Sequence, residues 1–343
     1  MTPGTARPIV TGTGTAVHGL SGAADLLGSG RDGAGFDAAT ALTGRDLRNK
    51  DRGSRLAIRA VGAALAEAGL LDGSGCVVSP DSTAVIVSSN LGNLGSVCDM
   101  TDTITSETSL GLNPLRLPET ACSVMAAWVA IRFGLRGPNL TICNGTTGGL
   151  DALFWARNLI AVGRARTVVV VGVEPTNEAV RKLLGADSVD GAAALVLESA
   201  EAAADRGVHD RVCTVAGYGH AVDTAAAIAA TGLRQDREVG LWLTEAPERA
   251  AGWNGFDQGR SLSIEQRLGP CSGALGVLQC AAAAAHLNSG GPGPVLATAG
   301  GGAGEPTSAV VLTSATETSA TETSATDTEN VVRHRKGHSY AGQ

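Results

Sequence analysis

Apolar positions recur along this chain with two periods, and the switching between them sets out its elements. From Asp51 to Leu71, Leu56, Ala60, Ala63, Ala64, Leu65 and Ala68 share one side, with Arg52, Arg55, Arg59 and Glu67 elsewhere. That spacing predicts an amphipathic helix, closed by Gly69. Thr83 to Ser88 (T-A-V-I-V-S) and Thr167 to Val171 (T-V-V-V-V) are uninterrupted apolar runs, the pattern of strands buried on both faces. Between them, Leu140 to Cys143 is a short apolar run and Asn144 to Gly149 a turn of small residues. Leu150, Leu153, Phe154, Ala156, Leu159 and Ile160 then follow at helical spacing up to Val162. A small-residue elbow thus opens a buried helix. Free N–H groups and the positive end of the helix dipole favour a nucleophile or an oxyanion there.

The same reading predicts a first strand over Pro8 to Gly14 and a strand over Gly191 to Glu198. It predicts helices over Val97 to Thr108 and Thr120 to Phe133, and a turn at Asn90 to Gly95. Leu20 to Thr43 reads as loop, with a short helix at Ala23 to Leu27. Further on come strands at Val212 to Val222, Val239 to Thr244, Val295 to Ala299 and Ala309 to Thr313. Helices at Asp223 to Gly232 and Ser272 to Leu287 fall between them. The second half therefore repeats the βαβ-rich plan of the first. From Ser314 a Ser-Ala-Thr-Glu-Thr unit repeats without any apolar period, which predicts a disordered tail with a basic end at Arg333, Arg335 and Lys336. The expected division is 1–199, 200–313 and 314–343.

Composition narrows the function classes. A hydrophobic content of 43% over 343 residues can fill a large core, and 47 glycines with 3% aromatics suit tight helix–sheet packing. A net charge of −7 argues against broad nucleic-acid or anionic-membrane binding. No apolar run reaches spanning length and no signal peptide opens the sequence, so a cytoplasmic protein without membrane contact is expected. The seven cysteines form no C-x-x-C pair and read as reduced thiols. His18, His209, His220, His286, His334 and His338 show no ligand spacing, so no metal site is expected. The G-x-G patterns at Val10 to Gly14 and Ala299 to Gly304 are weak dinucleotide signals, the first lacking a correctly spaced third glycine.

Arg132 to Asn139 reads R-F-G-L-R-G-P-N. With the strand, elbow and helix that follow, this phrase resembles the nucleophile region of the β-ketoacyl synthases of the thiolase superfamily. The resemblance implies an α/β thiolase fold, five-layered αβαβα with two pseudo-repeated halves. It places the catalytic cysteine at position 146, where Thr146 stands. It places the two family histidines near Glu245 and near Arg267, and residues 221 to 285 contain no histidine at all. Gly148 to Leu153 (G-G-L-D-A-L) resembles the chain length factors, non-catalytic ketosynthase-like partners in type II polyketide synthases. Only Thr176 to Asp190 stands where active relatives carry a long cap segment.

Decarboxylative condensation needs a thiolate to hold the acyl chain and imidazoles near the extender carboxylate. A threonine hydroxyl, with a pKa far above 7 and no paired base, cannot replace the thiolate. The resemblance therefore implies a chain length factor without catalysis and without a cofactor. It would pair with an active ketosynthase through Leu140, Thr141, Ile142, Cys143 and Asn144. It would serve an acyl carrier protein bearing a phosphopantetheine-bound acyl chain. Val97, Met100, Ile104, Met125 and Trp128 would close the acyl tunnel. The short chain suggests a highly reducing, polyene-forming system. Two alternatives remain: an acyltransferase or hydrolase of the same fold with chemistry moved to Cys143 or a hydroxyl, and a homodimeric ketosynthase-like scaffold. Cys143 itself, on the strand entering the elbow, reads as a buried small hydrophobe. Glu245 and Arg267 are expected to be structural, pairing with each other across the vestigial site.

Overall fold

The computed structural model describes residues 7–28, 35–208, 213–245, 260–302 and 304–314. Its strands are β1 (Ile9–Val17), β2 (Thr83–Ser88), β3 (Asn139–Ile142), β4 (Thr167–Glu174), β5 (Gly191–Glu198), β6 (Cys213–Ala221), β7 (Leu241–Leu243), β8 (Ser261–Leu262), β9 (Val295–Gly300) and β10 (Thr307–Ser314). The α-helices are α1 (Ala38–Ala41), α2 (Arg52–Glu67), α3 (Leu94–Glu107), α4 (Val124–Phe133), α5 (Gly148–Ala161), α6 (Glu178–Leu184), α7 (Ala200–Asp205), α8 (Thr224–Ala230), α9 (Glu265–Leu268) and α10 (Leu275–Asn288).

The strands form one sheet in the order β3-β2-β4-β5-β1-β6-β10-β9-β7-β8. Counted outward from the middle, both halves run first, fifth, fourth, second, third. Their directions match as well. The second strand of each half is parallel to the third and fourth, and the fifth is antiparallel to both its neighbours. Within the sheet the halves meet at β1 and β6, among the described residues over the pairs Ile9–Thr214 and Val10–Cys213.

Packing turns this sheet into five layers. Val168 and Val170 of β4 face inward with Leu150, Leu153 and Ala156 of α5 and the apolar residues of α10, and Val310 and Leu312 of β10 close the same core from the other half. Val169 and Val171 face outward against Leu56, Val61 and Leu65 of α2 and Val129 of α4. Ile228 of α8 covers the outer face of the second half with Trp242, Leu296 and Val311. The continuous valine run is thus explained by a layer on each face. This is the αβαβα thiolase sandwich that the resemblance implied.

Glycines set two of the closest approaches. A Cβ on Gly149 would lie 2.8 Å from Gly276 N, and one on Gly276 would lie 2.4 Å from Leu150 N, so α5 and α10 cross backbone to backbone. A Cβ on Gly12 or Gly14 would lie 2.3 or 2.1 Å from carbonyls of α2, and Gly217 and Gly219 of β6 stand in the same relation to Thr231 O and Ala227 O. The G-x-G pattern of the first strand is therefore a seat for a helix, repeated in the second half.

The elements differ from the expected ones mainly at their ends. α4 begins at Val124 rather than Thr120, because Pro114 to Thr120 forms 3₁₀ turns containing Pro118. α3 opens inside the expected turn, at Leu94. α6, α7 and the two-residue β8 were not expected; each is too short to show a period. α6 is bounded by an Asn177 cap and by Gly185 in the left-handed region. The low-complexity segment expected to be disordered lies outside the described residues from 315 on, and Ser314 ends β10. Among the described residues no helix is long and apolar enough to cross a membrane.

Candidate functional site

Parallel strands in such a fold present ligands at their carboxyl ends, because the loops that follow them gather there. Here β2 leads to Ser89, Asn90 and Leu91, β3 to the elbow, β4 ends at Glu174, β7 leads to Glu245, and β9 ends at Gly300. The elbow is Asn144, one 3₁₀ turn at Gly145–Thr147, then α5. Asn90 straps it from the side. Its Nδ2 donates to Gly145 O (2.9 Å) and to Ser272 Oγ (2.8 Å), and its Oδ1 accepts from Gly145 N (3.2 Å). Ser272 takes up a positive φ of 44°, which carries backbone strain in a residue other than glycine.

Asp151, 6% exposed, holds the elbow from below. It accepts from Asn144 Nδ2 (2.6 Å), Thr147 Oγ1 (2.9 Å), Tyr218 OH (2.8 Å) and Ser308 Oγ (2.5 Å). His220 Nδ1 lies 2.9 Å from Ser308 Oγ and 3.8 Å from Asp151 Oδ1. The Tyr218 hydroxyl is pushed well above its ordinary pKa by burial, with the Asp151 carboxylate adding to the effect.

Carboxylates hold the loops of this ring. Glu174, 2% exposed, accepts from Asn90 N (2.7 Å), Leu91 N (3.0 Å), Gly273 N (3.0 Å) and Ser89 Oγ (3.2 Å). Burial raises its pKa against the pull of those four donors. Glu265 accepts from Cys271 N at 2.6 Å, and burial raises its pKa also. Glu245 Oε1 accepts from Gly300 N at 2.7 Å. Arg267 sits on α9 and donates to the Leu26 and Asp25 carbonyls, the latter at 3.0 Å. Glu245 and Arg267 thus each bond backbone groups of different loops.

Thr146 is half-buried at the elbow, and no described group hydrogen-bonds its hydroxyl. Cys143 departs from the expected buried hydrophobe and is exposed. β3 is the end strand of the sheet, so its side chains have a neighbour on one side only. Desolvation at the sulfur, with the nearby Cys122 thiol, still holds the Cys143 pKa above its ordinary value. Leu140, Thr141 and Ile142 are half-buried, and Asn144 is exposed. The Thr141 Oγ1 atom is buried without a hydrogen-bond partner.

The five expected tunnel residues separate. Met125 and Met100 are buried, Trp128 is half-buried, and Val97 and Ile104 are exposed. Met125 packs against Gly92, where a Cβ would meet its Cε at 2.3 Å. Lys50 Nζ stands 4.2 Å from the centre of the Trp128 ring, and the Trp128 indole N–H is buried without an acceptor. A cleft of about 410 Å³ opens nearby, and none of the five lines it. Asn90, Asp151, Glu174 and Ser272 were not singled out from the sequence. Glu174 had a usable signal: it is a charge ending a strand buried on both faces, and such a charge needs partners.

The description "Beta-ketoacyl synthase, N-terminal domain" matches residues 22–186. The "Granaticin polyketide putative beta-ketoacyl synthase 1" of Streptomyces violaceoruber is 30% identical over 300 residues, covering 72% of this chain and 70% of its own. The 3-oxoacyl-[acyl-carrier-protein] synthase 2 of Rhizobium meliloti is 31% identical over 148 residues, 43% of this chain and only about a third (34%) of that protein. Among solved structures, the ishigamide ketosynthase/chain length factor superposes with a TM-score of 0.71 at 24% identity, over 89% of this chain and 99% of that one, a likeness of fold. The doubled sheet, the elbow at the head of α5 and a relative aligned over more than two thirds of both lengths agree: the chain belongs to the β-ketoacyl synthase family.

Proposed function

We propose that this chain is a non-catalytic chain length factor of a type II polyketide synthase, working in the cytoplasm as the partner of an active ketosynthase. One observation carries the reading. The elbow keeps its shape through Asn90 and Asp151, while the residue at its tip is Thr146, whose hydroxyl no described group engages. Acyl transfer needs a nucleophile with a paired base, and among the described residues no base is paired with the Thr146 hydroxyl. The Glu245 and Arg267 side chains are committed to backbone groups. At Cys143, burial at the sulfur holds the thiol above its ordinary pKa, which disfavours the reactive thiolate there.

The open edge of β3 supports a partner strand, and the acyl chain of a carrier protein would then run between the two subunits. Met100 and Met125 are the buried bulky groups on this side of that path. The system this chain would serve is a highly reducing, polyene-forming one. The test is co-expression with a candidate ketosynthase, followed by size exclusion and mass analysis of what remains on the carrier protein. The expected result is a heterodimer that extends the chain, with no condensation by this chain alone. Turnover by the pure chain, abolished by Cys143→Ala, would instead make it an enzyme with relocated chemistry. A stable homodimer that ignores ketosynthases would make it a scaffold.

A further inference from the structure

The cleft of about 410 Å³ lies beside the first turn of α2, with Arg48, Arg55 and Arg116 on its walls and Pro175, at the end of β4, on its rim. No residue of the elbow lines it. Its size falls within the range of small-ligand pockets. Its charge balance is uneven in a specific way. The carboxylates are engaged by the protein itself. Asp51 accepts from Ser54 N at 2.8 Å and from the Ser54 hydroxyl. Glu119, 6% exposed, and Asp99 both face the Arg116 guanidinium, at 3.1 and 3.4 Å.

The donors are not matched in the same way. Arg48 makes no side-chain hydrogen bond or ion pair among the described residues. Asn177 spends its Oδ1 on Val180 N, and among the described residues its amide N–H groups have no hydrogen-bond acceptor. That amide reaches the cleft wall because residue 95 is glycine; a Cβ there would meet Asn177 Nδ2 at 2.8 Å. Arg55 bonds the Lys50 carbonyl through Nε at 2.6 Å and the Arg48 carbonyl through one terminal nitrogen at 3.4 Å, with the other terminal nitrogen unused. A partly enclosed space with guanidinium and amide donors to spare matches a compact polyanion. Guanidinium groups in particular offer paired donors at the spacing of phosphate oxygens.

We propose that this cleft binds a small phosphate ester, with Arg48 and Asn177 as the groups that recognise it. The site is separate from the elbow and does not depend on the chain-length reading. Pyrophosphate, inorganic phosphate and citrate, titrated into the full chain by calorimetry, test it. Pyrophosphate should saturate at one site per chain and weaken as salt rises. Arg48→Ala should weaken binding about tenfold and Arg48→Glu should abolish it. Arg164→Glu, before the opposite end of β4, should leave it unchanged. The Arg48 side chain holds no hydrogen bond or ion pair among the described residues, so its variants should keep the wild-type Tm. No saturation by about 10 mM pyrophosphate would overturn the site. Undiminished binding by Arg48→Glu would do the same, and citrate binding as tightly as pyrophosphate would remove the phosphate assignment.

Discussion

Glu174 shows how much one side chain holds at this site. A single carboxylate ties together the loop after β2, the turn before α10 and the end of β4. Burial is the larger influence on its ionisation and raises the folded pKa above 4.5. The sign follows from linkage: the stability it contributes is fully present below 4.5 and is lost as pH rises through the folded pKa. Glu174→Gln is neutral at every pH and should lose that slope. The Tm of the wild type relative to the variant should therefore decline as pH rises from about 4 to 7. Parallel Tm profiles would show that Glu174 titrates as an ordinary surface carboxylate. At this scale the sequence was legible where identity alone matters, as at Thr146, and illegible where distance matters. Asp151 lies one helical turn beyond Thr147, but its partners Tyr218 and Ser308 come from the other half of the chain.

Among the elements, the crossing of α5 and α10 is the most constrained. Both helices are buried, and Gly149 and Gly276 let their backbones touch. Gly276→Ala would set a methyl 2.4 Å from Leu150 N, which flexible side chains cannot absorb. The expected cost is about 2–3 kcal/mol from overpacking, measured by denaturant unfolding. A cost within ~0.5 kcal/mol of wild type would mean that the two helices slide apart freely. Long elements were readable from the sequence because period and burial coincide in them, as in α2 and β4. β8 is shorter than any pattern can specify, since two residues hold no period, whereas β7 lies inside the strand expected at Val239 to Thr244. Cys143 was misplaced for a related reason: an apolar run tells that a strand forms, not whether it lies at the edge of its sheet.

For the whole molecule, two halves of identical strand order share one buried helical layer and, among the described residues, two residue pairs of direct sheet contact. The outermost strand of the first half, β3, is the surface through which a second sheet can join. Ile142→Asp would place a charge in that junction and should abolish co-purification with a ketosynthase, while circular dichroism of the variant alone stays native. A complex that survives the change would put the contact elsewhere. Such an edge also has a consequence for how the protein is supplied. Its four residues offer backbone donors and acceptors to any strand that meets them, including strands of nascent chains. A bare β3 is thus an aggregation liability, and the chain made without a strand to cover it should precipitate sooner than the same chain made with one.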